Sequence, residues 1–598
     1  MNGLSLVIAA ACIFLLAYRF YGAFMASKVL ALDETRVTPA ISLNDGKDYV
    51  PTNKWVVFGH HFAAIAGAGP LIGPVLATQF GYLPGTLWIL IGAVTGGAVH
   101  DMVILFASIR YNGMSLAEIA KKELGSFSGV LTSIAILFIL VITMAGLALA
   151  VINALFGSPW GTFTVGVTIP IAIFVGVYYR WLRPDKLGEA TVIGVSLVML
   201  GVIAGPYVQQ SALLAPMFTF SKEQLAVILA VYGFVAAALP VWLLLQPRDY
   251  LSTYMKIGVI LLLAIGVIIV NPSLQMPAIT NFVHGGGPVI PGKVWPFMFI
   301  TIACGAVSGF HALIASGTTP KMLKNEKDIL PIGFGGMLVE GFVAIMALIA
   351  ASSLFPADYF AINTAPQVFE KLGMQVKELA VLSNMVGENV AGRPGGAVSL
   401  AVGMSHIFSS IPGLNHLMNY CYHFIIMFEA LFILTTIDAG TRVGRYILQE
   451  MGGVVYKPLK NHNWWPGTIT CSMVISFAWG YLVYGGSISV IWPLFGVANQ
   501  LLATMVLGIG TTMIIRMGKG RYAWSTLIPM CFMAVTTVGA GYLNIFTIYL
   551  PGGKILLAVL TAIMMILVVA VLIESIKKWV ELYTASKKQK TDPQIKMA

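Results

Sequence analysis

Charge is what this chain has least of. Only 10% of its 598 residues are Asp, Glu, Lys or Arg, against about 25% in a soluble globular domain. The mean hydropathy is +0.86. So little polar surface cannot clothe a water-soluble fold, which excludes a soluble enzyme or binding module. Cysteine is scarce as well. Cys12, Cys304, Cys421, Cys471 and Cys531 sit singly inside apolar runs, with no Cys-x-x-Cys among them. That spacing supports neither a disulfide framework nor a thiolate metal site. His-Glu-x-x-His and Gly-x-x-x-x-Gly-Lys-Ser/Thr are both missing, which argues against a zinc peptidase and an ATP-driven pump.

Apolar residues are what the chain has in excess, in blocks of bilayer-spanning length, about 20 residues. They lie near 4–26, 57–78, 85–108, 128–154, 162–179, 191–209, 223–245, 256–271, 296–317 and 331–354. Others are near 378–410, 417–440, 467–486, 488–512, 523–546 and 554–576. Runs such as 259–270 do not alternate, so they read as helices rather than barrel strands. The first block lacks a preceding basic region, so it reads as a retained helix rather than a cleaved signal. The expected fold is an all-α polytopic membrane protein. No soluble domain fits between the blocks, and the longest connection is 27–56.

The formal net charge is +11. Its Lys and Arg residues fall in short connections and in the tail at 577–590, which is the positive-inside pattern rather than a nucleic-acid surface. Arg110, Lys121 and Lys122 share one connection, and the next, 157–161, has no basic residue. Arg180, Arg183 and Lys186 follow, then a connection with only Lys222; Lys321, Lys324 and Lys327 follow the block at 296–317. The alternation survives past 378–410 only if that block crosses an even number of times. Its interior, Gly387-Glu388-Asn389-Val390-Ala391-Gly392-Arg393-Pro394-Gly395-Gly396, is a helix breaker carrying two charges. We read 378–410 as a re-entrant element or tight hairpin, with the N-terminus outside and the C-terminus inside.

The chain also matches itself weakly. Gly59, His61, Gly67 and Pro70 recur as Gly309, His311, Gly317 and Pro320, and Gly96, Gly97 and Asp101 recur as Gly335, Gly336 and Glu340. Reuse of glycine for helix packing gives such matches too. By the charge pattern the block at 57–78 runs outward and that at 296–317 runs inward. Inverted repeats, each with a Gly/Pro-interrupted helix, mark secondary transporters. The interruptions are placed at Gly67-Ala68-Gly69-Pro70 and Gly317-Thr318-Thr319-Pro320, where unwound backbone could meet a solute and half-helix N-termini favour an anionic end. The chain divides accordingly into 1–56, a first repeat at 57–295, a second at 296–512 and a C-terminal region at 513–598.

The candidate solute-binding residues are His61, Gly67, Ala68, Gly69, His311, Gly317, Thr318 and Arg393. The candidates for coupling to a proton or cation are His100, Asp101, Glu340, Glu388, Thr435, Thr436 and Asp438, with His60 and Glu429 as further members. Intramembrane charge is costly and by default functional, and histidine titrates near neutrality. The blander readings are structural: interhelical hydrogen bonds for Asp101, Glu340 and the histidines, a Glu388–Arg393 ion pair, and an Asp438 pair with Arg442 or Arg445. The alternative function is a membrane-embedded metal- or haem-binding protein, since six histidines (His60, His61, His100, His311, His406, His423) lie near apolar blocks. Against it, the adjacent pair points about 100° apart on a helix. We expect no cofactor and no metal.

Several long strings resemble the carbon starvation protein A family, CstA. They are Asp45-Gly46-Lys47-Asp48-Tyr49-Val50-Pro51-Thr52-Asn53-Lys54, the run from Gly59-His60-His61 to Pro70, Glu388 to Arg393, Thr435-Thr436-Ile437-Asp438-Ala439-Gly440-Thr441-Arg442, and Trp492-Pro493-Leu494-Phe495-Gly496-Val497-Ala498-Asn499-Gln500. The resemblance implies a bacterial inner-membrane transporter, associated with peptide uptake during carbon starvation and, in some members, proton-coupled pyruvate uptake. It also implies a LeuT-like core of the amino acid–polyamine–organocation superfamily. Seven blocks run from the first interrupted helix up to the second where a five-helix repeat needs five, so either two helices are inserted or the repeat is seven plus seven. The expected partners are a small solute, peptide or pyruvate, a coupling proton and the bilayer. A cysteine introduced at Lys587 is expected to react with an impermeant maleimide only from the cytoplasmic side; labelling from outside in intact cells would reverse this topology.

Overall fold

The computed structural model describes residues 1–45, 49–183, 186–239, 244–461 and 464–591. Residues 46–48 of the first string quoted above, and the side chains of Lys587, Lys588 and Lys590, lie outside the described residues. The described chain is helical nearly throughout, and its only β pairing is two isolated bridges, Asn2 with Ser273 and Thr52 with Leu323. Helix α1 (Gly3–Val29) leads to a broken pair, α2 (Lys54–Ile65) and α3 (Gly69–Phe80), bent by 46°. Helices α4 (Tyr82–Arg110), α5 (Ser126–Leu155), α6 (Pro159–Val177) and α7 (Gly188–Gln210) are continuous. Next come α8 (Lys222–Ala238), α9 (Leu245–Val270) and the short α10 (Val294–Thr301) and α11 (Phe310–Ala315). Helix α12 (Glu326–Ser352) is long, whereas α13 (Leu379–Val386) and α14 (Ala397–Ser409) are short. Helices α15 (Met418–Val455), α16 (Trp465–Tyr484), α17 (Ile488–Arg516), α18 (Trp524–Tyr549) and α19 (Ile555–Thr591) follow. Eleven of the described helices are long and apolar enough to cross a membrane, twelve with the bent pair taken as one span.

Two apolar blocks are drawn differently by the structure. The block at 223–245 yields a helix that stops at Ala238, and the block at 256–271 belongs to a helix that begins at Leu245. The reason is physical. Arg248 is 1% exposed and Lys256 0%, so these charges lie inside the bundle and do not mark a connection. The block at 296–317 is likewise two short helices separated by a non-helical stretch at 302–309.

The connections sort to two ends of the bundle. One end gathers basic segments. Arg110 Nη2 lies 2.7 Å from Glu326 Oε1, Arg516 Nε 3.0 Å from Glu123 Oε2, and Lys327 Nζ 2.6 Å from Glu34 Oε2. At the other end Gly3 N–H donates to Pro272 O at 2.8 Å. There the Gln79 side chain also accepts from Val289 and Ile290 N–H and donates to Ile290 O. Helix α14 stays in the half nearer this second end. Gly396 before it touches Ile72 and Leu76, Gly403 lies against Ala350, and Gly266 of α9 against Phe408. Each of these neighbours is near the same end of α3, α12 or α9. The helical return of the 378–410 block therefore packs in the half of the bundle nearer this second end.

Within that block, residues 387–396 are non-helical, and their two charges satisfy each other. Arg393 Nη1 donates to Glu388 Oε2 at 2.9 Å and to Tyr422 Oη at 3.3 Å. Its Nη2 donates to Ala154 O at 2.5 Å and Phe156 O at 3.0 Å, the carbonyls that end α5. Glu388 also accepts from Ser158 Oγ. The guanidinium thus ties the break to the end of α5. Arg393→Met should lower thermal stability by about 3–5 kcal/mol, because a buried carboxylate is left unpaired. Adding Glu388→Gln should recover much of the loss. Equal melting temperatures for wild type and Arg393→Met in detergent would show that the pair is not structural.

Candidate functional site

The first break begins at Ala66. Asn53 caps the start of α2 through the Trp55 N–H, and α2 runs to Ile65, where Ala66 turns to φ −73°, ψ 73°. Gly67 N–H then donates to Ile65 O at 2.8 Å, an inverse γ-turn. Gly69 and Pro70 restart the helix, proline being favourable at a first turn because its missing N–H would have no partner there. Lys256 Nζ donates to Ala63 O at 2.7 Å and lies 4.1 Å from the Phe432 ring centroid. A cation thus supports the negative end of α2.

The second break stops in nearly the same conformation. Ile302, after α10, has φ −89° and ψ 65°. The unwound stretch is 302–309, earlier than the expected Gly317-Thr318-Thr319-Pro320, which instead follows the end of α11. The self-match at an offset of 250 therefore does not align the two breaks. The stop positions, Ala66 and Ile302, are 236 residues apart. Asn499 and Gln500 of α17 hold this break open. Asn499 Oδ1 accepts from Phe310 N–H at 2.9 Å, its Nδ2 donates to Ser308 Oγ at 3.1 Å, and Gln500 Nε2 donates to Phe299 O at 2.6 Å. Trp88 Nε1 donates to Ile302 O at 3.1 Å. The two breaks face each other, with Gly69 against Cys304 and Pro70 against Gly305.

Helices α4 and α12 cross beside them, antiparallel. Gly85 meets Leu348, Ala93 meets Gly341, Gly97 meets Met337 and Met102 meets Gly333. Each helix has a π-helical turn that runs into its Gly-Gly pair, Ala93–Gly97 in α4 and Leu330–Gly335 in α12. Four residues beyond Gly97 is Asp101; four beyond Gly336 is Glu340. Both are 0% exposed, as are His61, His100 and His311. They form one chain. His100 Nδ1 is 2.7 Å from Asp101 Oδ1, Asp101 Oδ2 is 2.8 Å from His311 Nδ1, and His311 Nε2 is 3.0 Å from Glu340 Oε2. Glu340 Oε1, His61 Nε2 and His100 Nε2 have no hydrogen-bond partner among the described residues. The His61 ring lies against Gly336, and His61 Nδ1 is 2.8 Å from Thr319 Oγ1. His60 Nε2 is 3.3 Å from Thr318 Oγ1.

The model matching Carbon starvation protein CstA covers residues 2–540. The chain is 54% identical to Peptide transporter CstA of Bacillus subtilis, over 100% of this chain and 99% of the relative. It is 46% identical to Pyruvate/proton symporter BtsT of Escherichia coli, over 92% of this chain and 82% of the relative. The chain belongs to the CstA family. A crystal structure of the Eremococcus coleocola manganese transporter is also similar, at 12% identity and TM-score 0.42, covering 90% of this chain and 99% of that one.

Of the candidates read from the sequence of this CstA-family chain, His61, His100, Asp101, His311, Glu340 and Thr318 gather with Gly67, Ala68 and Gly69 at the first break. Thr436 joins them, since a Cβ at Gly67 would lie 3.1 Å from its Oγ1. Gly317 lies at the edge, against Leu313 O of its own helix. Glu388 and Arg393 form the separate pair described above. Asp438 is buried, but its partners are not the ones expected. Tyr232 donates to it at 2.5 Å and Arg248 Nη1 lies 3.5 Å away, whereas Arg442 and Arg445 donate to carbonyls at the end of α8. Thr435 Oγ1 is 3.5 Å from Ser252 Oγ. Glu429 is buried apart, with neither oxygen hydrogen-bonded. The donor atoms of Cys304, His311 and Glu340 all lie within 4.8 Å of one another. Both His311 nitrogens already face carboxylates, so a cation there would displace one of them.

Sequence reasoning missed Arg248, Lys256, Asn499 and Gln500. The two basic residues fall between or at the edge of the apolar blocks at 223–245 and 256–271. Asn499-Gln500, an amide pair within an otherwise apolar run, was a usable signal. Gly97→Ala would bring a methyl onto the Ala306 carbonyl oxygen where α4 approaches the second break, and backbone there cannot give way. We expect a loss of about 1–3 kcal/mol, read as a lower melting temperature in detergent. An unchanged melting temperature would show that these elements can part freely.

Proposed function

We propose that this chain is a secondary active transporter of the bacterial inner membrane, and not an enzyme, importing small carboxylate-bearing nutrients, peptides or pyruvate, together with protons during carbon starvation. The observation that carries the reading is the buried chain His100–Asp101–His311–Glu340, lying between two antiparallel helices and against two helix breaks. Relatives named as a peptide transporter and as a pyruvate/proton symporter support the solute class and the ion. The breaks and the paired π-turns support an inverted repeat of LeuT-like type, with α2–α3 and α10–α11 as its interrupted helices. The gathered basic residues support a cytoplasmic position for that end.

The chemistry follows from charge. Two carboxylates and one imidazolium in an apolar interior carry a net charge of about −1, which is costly without a counter-charge. A proton or the Lys256 ammonium can supply it. A proton arriving there neutralises the cluster, and its departure restores the charge. Each change alters what holds α4, α11 and α12 together, and so biases the broken helices. Solute carboxylate would be met by the N-terminus of α3. The titratable and charged groups facing the cluster are His60, His61, His100, Asp101, His311, Glu340 and Lys256.

Uptake of labelled pyruvate and labelled dipeptide into vesicles, with proton and sodium gradients imposed separately, tests the reading. Asp101→Asn keeps the shape of the neutral carboxyl but cannot release a proton. The variant should exchange solute yet fail to accumulate it under a pH gradient. Wild-type accumulation by Asp101→Asn, still dependent on pH, would remove Asp101 from coupling. Gly67→Leu would press on Thr436 and should abolish uptake with expression retained; normal uptake would take the first break out of the site.

A further inference from the structure

A buried carboxylate outside the central chain has no structural bond to account for it. Glu429 of α15 is 1% exposed, neither of its oxygens has a hydrogen-bond partner, and no ion pair reaches it among the described residues. A buried acid that holds a bundle together does so by bonding to a neighbouring helix, and Glu429 makes no such bond. Buried polar groups are ordinarily satisfied, and an acid at membrane depth is costly. Both oxygens are closed off from water, so there is no room beside them for a solute or a hydrated ion. A proton is the ligand that needs none.

The place of Glu429 along α15 shows which side would supply that proton. Tyr422, Glu429 and Thr436 are seven residues apart, on one face of the helix, with about 10 Å between successive levels. Tyr422 Oη accepts from Arg393 Nη1 at the end of the bundle away from the basic connections. Thr436 lies against Gly67 at the first break. Glu429 is therefore midway between the Glu388–Arg393 pair and that break. The ionisable groups around it on α15 are Tyr422, within electrostatic reach, and His423. Glu388 and Arg393 lie in the 387–396 break, His406 on α14, and Arg248 and Lys256 on α9. Helices α5, α6 and α13 also pack on α15 and carry no ionisable side chain. Helices α8 and α16 meet α15 farther along, beside Ile437 and Gly444.

Resting on the transport reading above, we propose that Glu429 is a second proton-binding site, separate from the His100–Asp101–His311–Glu340 chain, and that its protonation lets this half of α15 pack closed. A hydronium ion from the side of the Glu388–Arg393 pair gives its proton to one carboxylate oxygen and leaves as water. The side chain goes from anion to neutral acid, and no other bond changes. The neutral acid can lie unpaired among apolar side chains at modest cost, whereas the anion cannot. Losing the proton needs water, which reaches Glu429 only when α15 parts from the helices around it. Proton occupancy is thereby tied to conformation, one step before the first break.

Infrared spectra of the purified full-length protein, taken from mildly acidic to mildly alkaline buffer, test this without any gradient. A protonated carboxyl free of hydrogen bonds gives a C=O stretching band at higher frequency than a bonded one. That band should be present in the wild type, fade as the buffer becomes alkaline, and be missing from Glu429→Gln. Glu429→Leu repeats the comparison should Glu429→Gln fold poorly, and it should not lower the melting temperature, since no bond is lost. In vesicles both variants should exchange labelled solute but lose accumulation driven by a pH gradient. A band that titrates and disappears in the variants supports the proton site even if wild-type uptake proves independent of protons, an outcome that sinks only the transport reading. A band that is unchanged across the pH range, or equal in wild type and both variants, overturns the site even where uptake is proton-driven. Full pH-driven accumulation by both variants overturns it as well.

Discussion

Unwound backbone in an apolar interior must find hydrogen-bond partners, and the centre of this protein is organised around that constraint. A helix broken at membrane depth exposes carbonyls on one side and N–H groups on the other, with no water to take them. Here Lys256 takes a carbonyl at the end of α2, Trp88 and Gln500 take carbonyls at the end of α10, and Asn499 takes the first N–H of α11. Those partners come from α9, α4 and α17. The breaks therefore hold their neighbours in register as firmly as the neighbours hold the breaks.

Charge obeys the same rule. Several buried ionic groups near the centre are placed where another element meets them, although Glu429 has no hydrogen-bond partner among the described residues. His311, on the short α11, reaches carboxylates on α4 and α12, and Arg248 on α9 lies beside Asp438 on α15. Away from the centre, Arg393 secures its own loop to the end of α5. The two kinds of cluster differ in their partners. Arg393 is held by Glu388 and by the Ala154 and Phe156 carbonyls, although its Nε has no partner among the described residues, whereas the central chain links side chains on three helices.

Much of the centre was legible in residue order. Asp101 and Glu340 were visible because a carboxylate inside an apolar block needs a reason, and the Gly-Gly pairs before them marked where α4 and α12 approach closely. The first break was visible because Gly67, Gly69 and Pro70 together mark a place where one helix ends and another starts. The second was misplaced by several residues. Cys304-Gly305-Ala306-Val307-Ser308-Gly309 contains no proline, and its unwinding depends on Asn499 and Gln500, nearly two hundred residues later. Arg248 and Lys256 were overlooked for a related reason. A basic residue at the edge of an apolar run reads as a connection unless its buried partners are known.

The sequence alone determined that the chain is helical and spans a membrane many times, because its apolar blocks have bilayer length and backbone in lipid must bond within its own segment. From the order of basic residues it also gave the expectation that 378–410 crosses an even number of times. Only the tertiary structure decided which charges are paired and which are open. It joined His311 to both Asp101 and Glu340, gave Asp438 to Tyr232 and Arg248, and left Glu429 with no hydrogen-bond partner among the described residues. Such pairings join residues up to several hundred positions apart. Local sequence marked the first break, at Gly67–Pro70, but the place of the second and what meets each break depend on helices packed from elsewhere in the chain.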